Sequence, residues 1–198
     1  GDGNITLPLL RAASKAHSDL VVVHIDAHTD TYRGDGNQDY MRFNVATTFT
    51  RAAEEALIDV ESSIHVGARG PTNDSGVFNH TRDVGYGLID STELFNAGLR
   101  NTAKNIVESL KGRSVYLCFD MDFFDPSCAP GVCTPTWGGA TSREGLDFLQ
   151  NLTGLNLVGA DINTVSPPHD ISGMTAFLAA TVGLEILSVI CHSKGLVE

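Results

Sequence analysis

The chain predicts an α/β fold, a mainly parallel sheet covered by helices on both faces. Two observations carry that expectation. Apolar, β-branched runs at Leu20–Ile25 and residues 114–119 have the length and composition of buried strands. Between them and after them, strand-like and helix-like segments alternate, and repeated β–α alternation gives parallel strands with helices packed on the sheet. At 198 residues, with 42% hydrophobic and 19% charged side chains, the chain has the length of one domain with a substantial core.

Taken in order, residues 7–17 read as a helix and Leu20–Ile25 as the first strand. Residues 31–44 have no apolar periodicity and contain Gly34-Asp35-Gly36-Asn37, so they read as a loop lining a site. Residues 47–57 suit a helix and 63–67 a short strand, followed by turn chemistry over residues 70–76. Residues 91–110 hold one long helix or two short ones, with Gly98 as the possible break. After the strand at 114–119 comes a Gly/Pro-rich loop ending at Gly138-Gly139. Thr141-Ser142-Arg143-Glu144 is a capping box that opens a helix running to Leu152. A strand at 155–160 ends at Asp161, and residues 172–189 form the last helix.

Composition narrows the functional classes. A net charge of -11 argues against nucleic acid as a partner and is compatible with a cationic substrate. The longest apolar stretch, residues 175–190, is interrupted by Gly183 and Glu185 and reads as a packed helix, so no membrane span is expected. The opening Gly-Asp-Gly-Asn has neither a basic start nor an apolar stretch, so no signal peptide is expected. Cys118, Cys128, Cys133 and Cys191 match no zinc spacing, and a domain of this size needs no disulfide framework. A reducing, cytoplasmic setting is the expectation.

The chemistry concentrates at the ends of the two strands. His24-Ile25-Asp26-Ala27-His28-Thr29-Asp30 closes the first, and Asp120-Met121-Asp122 closes the second. Residues two apart on an extended segment point the same way, so Asp26, His28 and Asp30 converge, as do Asp120 and Asp122. Four carboxylates and an imidazole are costly to bury without a counter-charge, which divalent cations supply. The expected centre is therefore a two-metal hydrolytic site with Asp26, His28, Asp30, Asp120 and Asp122 as ligands. A ligand set rich in carboxylates suits manganese, or nickel where nitrogen donors are recruited, better than structural zinc.

These residues resemble the ureohydrolases, the family of arginases and agmatinases, over nearly the whole chain. Asp26-Ala-His28-Thr-Asp30 is similar to their first metal motif. Asp120-Met-Asp122-Phe-Phe-Asp125-Pro126, with Ala129-Pro130-Gly131 and Thr134-Pro135, is similar to their second. Thr48-Phe49-Thr50-Arg51-Ala52-Ala53-Glu54-Glu55 resembles the agmatinase helix after the site loop, and Gly173-Met174-Thr175-Ala176 the start of the last helix. The resemblance implies a three-layer α/β/α fold and two divalent ions that activate a bridging water; the hydroxide attacks a guanidinium carbon. It also implies that Asp26 and Asp120 bridge both ions, that Asp30 binds one, and that His28 and Asp122 bind the other. Asp30 and Asp120 are thereby the expected catalytic ligands. Trimers or hexamers are implied as well.

Three positions depart from the family pattern. Gly3 stands where the family segment has a ligand histidine, which leaves one metal site short of a nitrogen and prone to be empty. Asp2 or Asn4 is the candidate for a substitute oxygen. Val45 stands where a proton-shuttle histidine is expected, beside Asn44, which is able to position water or substrate. Thr164 stands where arginases and agmatinases carry a glutamate that grips the guanidinium. The string Asn163-Thr164-Val165-Ser166-Pro167-Pro168-His169-Asp170 resembles the branch that includes guanidine hydrolases and metformin hydrolase subunits. Thr164, Asn44, Trp137 and His169 are the expected substrate-binding residues, Trp137 through its aromatic face. His24 and His65 read as hydrogen-bonded structural residues.

Two readings follow. The first is a metal-dependent amidinohydrolase acting on a small guanidino or biguanide compound, with urea or a urea-like product. The second is a non-catalytic subunit that supports an active paralogue in a hetero-oligomer, motivated by the joint departures at Gly3, Val45 and Thr164. Because residue 1 falls inside a family motif, residues 1–198 are expected to be a single ureohydrolase-like domain without its N-terminal strands and helices.

Overall fold

The computed structural model describes residues 3–34 and 39–196. Asp2 and the Asp35-Gly36-Asn37 part of the loop lie outside the described residues. The elements are α1 (Thr6–Ala13), β1 (Leu20–Ile25), α2 (Asp39–Arg42), α3 (Thr48–Glu54), β2 (Ile64–Val66), α4 (Val77–Val84), β3 (Gly87–Ile89), α5 (Ser91–Ala97), α6 (Leu99–Ser109), β4 (Ser114–Asp120), α7 (Ser142–Gln150), β5 (Asn156–Asn163) and α8 (Met174–Ser193).

All strand pairs are parallel, in the order β3-β2-β1-β4-β5. β1 is central and buried along its whole length, as a β-branched run between two helical layers must be. Its side chains alternate between two cores. Val21, Val23 and Ile25 meet Ile106 of α6, Phe148 of α7 and Ile186 of α8. Leu20 and Val22 meet Leu10 of α1 and Phe49 of α3 on the other face. Burial of each such side chain contributes about 1.5–3 kcal/mol. The expected α/β/α layering is what forms.

Several boundaries differ from the sequence reading for identifiable reasons. α1 stops at Ala13 because Ser14 to Ala16 close into turns, with Lys15 and Ala16 N–H groups bonded three residues back. The long polar loop contains α2, and α3 is preceded by a single 3₁₀ turn at Val45–Thr47. Gly98, at φ 84°, ends α5 and starts α6, so residues 91–110 are two helices. The capping box at Thr141 forms as read, its hydroxyl accepting the Glu144 N–H. α4 and β3 were not expected; β3 is only three residues long and exists through its pairing with β2.

α8 extends further than the apolar run suggested. Its 20 residues are long and apolar enough to cross a membrane by length and composition, despite Gly183 and Glu185. In this fold one stripe, Val182, Ile186 and Val189, is buried in the core. The opposite stripe, including Phe177, Leu184 and Leu187, faces outward beside β5, whose far edge has no strand partner among the described residues.

Candidate metal centre

The carboxyl ends of β1 and β4 are adjacent, with Ile25 paired to Phe119, so the residues that follow each strand meet. Asp26 leaves β1 with its N–H bonded to Val66 O at 3.0 Å. Asp120 ends β4, and Asp122 sits in the 3₁₀ turn immediately after it. Asp30 adopts φ 49°, a left-handed conformation that aspartate tolerates better than most residues, and its carbonyl accepts the Phe49 N–H at 3.0 Å. The turn brings its carboxyl back beside Asp26.

Among the described residues three groups of donors result. His24, Asp26, Asp30 and Asp120 form the first, Asp26, His28 and Asp122 the second, and His24, Cys118 and Asp120 a third that overlaps the first; within each, one donor atom per residue lies within 4.8 Å of the rest. Asp26 belongs to the first and second groups, as a bridging ligand would, whereas Asp120 is absent from the second. His28 Nδ1 is 3.3 Å from Asp26 Oδ1 and 3.4 Å from Asp122 Oδ2. Thr134 donates to Asp122 Oδ2 at 2.8 Å, which fixes that carboxylate from the opposite loop.

The electrostatics are those of a carboxylate nest that wants a cation. Burial, together with the charges of Asp26 and Asp30, pushes the Asp120 carboxyl well up. Burial and Asp26 do the same to Asp30. Asp122 is pushed up to about 7 by burial and Asp26, with His28 opposing. Burial also acts against the charge on Asp26, but the neighbouring His24 and His28 outweigh it and hold that carboxyl low. His28 is raised to about 11: burial opposes its protonation, and Asp122 and Asp26 overcome it. Asp120 Oδ1 and His24 Nε2 are buried without a hydrogen-bond partner among the described residues. Uncompensated charge and orphaned donor atoms in one place fit a pair of divalent cations.

The centre forms the floor of a cavity of about 750 Å³. Asn44, Val45, Trp137 and Thr164 line it. Trp137 is 75% exposed, with its ring free of core packing. Thr164 is buried at φ 68°; its hydroxyl accepts the Met121 N–H at 2.8 Å and donates to Asn163 O at 2.7 Å. Asn44 turns its amide onto Tyr40 O and Met41 O. His169 is not among the lining residues: it is exposed in a 3₁₀ turn, with Nδ1 2.7 Å from Ser166 Oγ. Asn4 is exposed and borders a separate cavity with Arg11 and Phe43. Gly3 adopts φ 78°, and a Cβ there would lie 2.9 Å from Val45 Cγ2. The two departures from the family pattern are therefore in contact.

Sequence reasoning missed Arg69. The residue is 7% exposed, and its guanidinium donates to the carbonyls of Asp122 at 2.6 Å and Thr136 at 2.9 Å. It thus ties the metal turn to the loop carrying Trp137. An arginine among turn residues gives no sequence signal of burial; only its carbonyl partners reveal it. His24 and His65, read as hydrogen-bonded residues, do pair, at 2.8 Å between their Nδ1 atoms.

Parallel strands with carboxylate-rich donor groups at their carboxyl ends define the class as that of α/β proteins with a candidate two-cation centre. The comparisons narrow it. A model of the Arginase family matches residues 1–188, and the chain belongs to that family. It is 37% identical to a guanidinobutyrase of Pseudomonas aeruginosa over 96% of this chain and 59% of the relative. It is 40% identical to an agmatinase of Photorhabdus laumondii over 98% of this chain and 59% of the relative. The structure of proclavaminate amidino hydrolase from Streptomyces clavuligerus superposes with a TM-score of 0.89 at 35% identity, covering 98% of this chain and 62% of that one. The chain thus spans about 59% of the length of the curated relatives it matches.

Proposed function

We propose that the chain carries the metal centre of an amidinohydrolase that cleaves a small guanidino or biguanide compound and releases urea or a urea-like product. The observation that carries this reading is the pair of donor groups sharing Asp26 at the floor of an open cavity. Relatives named for guanidinobutyrate and agmatine support the substrate class. Asp26, Asp30, Asp120, His28 and Asp122 would hold two divalent ions, manganese or nickel. When bound, such ions supply Lewis acidity and lower the pKa of water.

The remaining work falls to the chain. Asp30 and Asp120 would be catalytic as ligands that hold the cations at the floor of the cavity. Trp137 offers an exposed aromatic face to a planar cation. Thr164 has spent its hydroxyl hydrogen on Asn163 O and has no charge, so it offers a neutral lone pair where a carboxylate would give a bidentate grip. Such a cavity favours compounds that do not depend on that grip, which is the argument for guanidine or a metformin-like biguanide over arginine. We read the protein as cytoplasmic and oligomeric, as a homo-oligomer or beside an active paralogue.

The test is urea release from guanidine, agmatine, 4-guanidinobutyrate and a biguanide by the chain loaded with manganese or nickel. Turnover that disappears on chelation supports the reading. Metal binding without turnover on any of them supports the subunit of a hetero-oligomer instead. A chain that binds no metal refutes the hydrolase reading and points to the non-catalytic subunit.

A further inference from the structure

His24 is fully buried on β1, two residues before Asp26 and therefore on the same face of the strand. Its Nε2 is 3.1 Å from Asp26 Oδ2 without the alignment of a hydrogen bond, and it has no other partner. Asp120 Oδ1, in the same group of four, is likewise orphaned. Two buried polar atoms left unmade in one cluster mark the place where something else binds.

The other ring nitrogen narrows what that is. His24 Nδ1 lies 2.8 Å from His65 Nδ1, so one of the two rings donates to the other. When His24 is the donor, its Nε2 carries a lone pair directed at Asp26, the tautomer of a metal-ligating histidine whose second nitrogen is held by a hydrogen bond. The neighbouring Cys118 is a weaker candidate. Its Sγ is already 3.6 Å from both Thr6 Oγ1 and Asn163 Nδ2, and burial pushes its thiol well up. Gly3 brings no side-chain donor, and its carbonyl accepts the Thr6 N–H at 3.1 Å.

We propose that His24 supplies the nitrogen ligand of the cation site formed with Asp26, Asp30 and Asp120, and that His65 is the positioning residue that holds His24 in its ligand tautomer. This rests on reading the carboxylate cluster as a two-metal centre. It requires no movement of β1.

The test uses manganese(II) alone as the probe, read by elemental analysis after desalting and by nitrogen modulation in pulsed electron paramagnetic resonance. In His28→Ala, the nitrogen coupling to bound manganese should persist, because His24 remains. It should vanish in His28→Ala/His24→Gln. His24→Gln alone should retain about one ion where the unaltered chain retains about two. His65→Ala should weaken binding roughly 10–100-fold while the nitrogen coupling stays. Circular dichroism establishes that each variant is folded, and nitrogen coupling in the His28→Ala chain tests the ligand without removing His24. Absence of nitrogen coupling in folded, manganese-loaded His28→Ala, or full binding by His24→Gln, would overturn the assignment. If the unaltered chain binds no manganese, the two-metal reading itself fails.

Discussion

Replacing Arg69 by methionine isolates how far one buried cation organises the site. The side chain keeps most of its apolar volume, but the guanidinium and its bonds to Asp122 O and Thr136 O are lost. Three further carbonyls, of Gly67, Phe124 and Trp137, lie 3.3 Å from its nitrogens. A hydrogen bond from a charged donor contributes about 1.5–3 kcal/mol net. The two short bonds therefore contribute about 3–6 kcal/mol, and desolvation of the guanidinium offsets part of that. The expected loss is about 3 kcal/mol, which lowers the melting temperature by roughly 6–12 °C for a chain of this size. Because the lost bonds anchor the turn carrying Asp122, manganese affinity should fall at least about 10-fold, as for other groups that orient metal ligands. Thermal unfolding of the metal-free chain and manganese titration of the folded variant read the two effects separately. Arg69→Lys should recover only part of each, since an ammonium lacks the planar fork. A melting temperature within about 2 °C of the unaltered chain, with metal affinity intact, would refute the account.

Three other outcomes are expected. Gly145→Ala places a methyl against the Phe124 ring, where a Cβ would come within 2.1 Å of Cε1, so thermal unfolding should show a loss of about 1–3 kcal/mol. Hydrogen bonds from Arg113 and Ser62 hold the Asp59 carboxyl below its ordinary value. Its stabilisation is therefore present above the unfolded-state pKa, near 4, and is lost as the pH falls through the lower folded value. Asp59→Asn should flatten the acid limb of the stability curve, and an unchanged limb would count against the interaction. Finally, the metal-free chain at pH 7 holds a proton on His28, raised to about 11, and a partial one on Asp122, raised to about 7. Cation binding must displace them, so calorimetry in buffers of different ionisation enthalpy should show about one or more protons released per chain. Zero release would contradict those shifts.

The parts of the fold legible in the sequence are those decided locally. β1 was readable to the residue because Leu20-Val21-Val22-Val23 admits few other structures. The five proposed ligands were readable as two clusters after strand ends, but the left-handed turn at Asp30 and the 3₁₀ turn at Asp122, not the strand alternation the sequence suggests, bring them together. α4 was not, because Asn79, His80, Arg82 and Asp83 dilute its apolar signal, and Val77 and Thr81 are its only buried members. β3 depends on its neighbour β2, and Arg69 on carbonyls more than 50 residues away in sequence. His169 was drawn toward the site by proximity in sequence to Thr164, but its 3₁₀ turn leaves it exposed, outside the cavity lining. The reading of His24 as a hydrogen-bonded strand residue holds for its Nδ1, which pairs with His65, while nothing in the sequence shows how its Nε2 is placed.

The contact between Gly3 and Val45 also couples two positions that lie far apart in sequence. A histidine placed at position 3 would meet the Val45 methyl and would have to adopt a left-handed backbone that disfavours any side chain. A smaller residue at position 45 would relieve the contact but not the backbone. A nitrogen donor at position 3 is therefore not a one-residue change in this chain: it asks for a second substitution and a refolded turn.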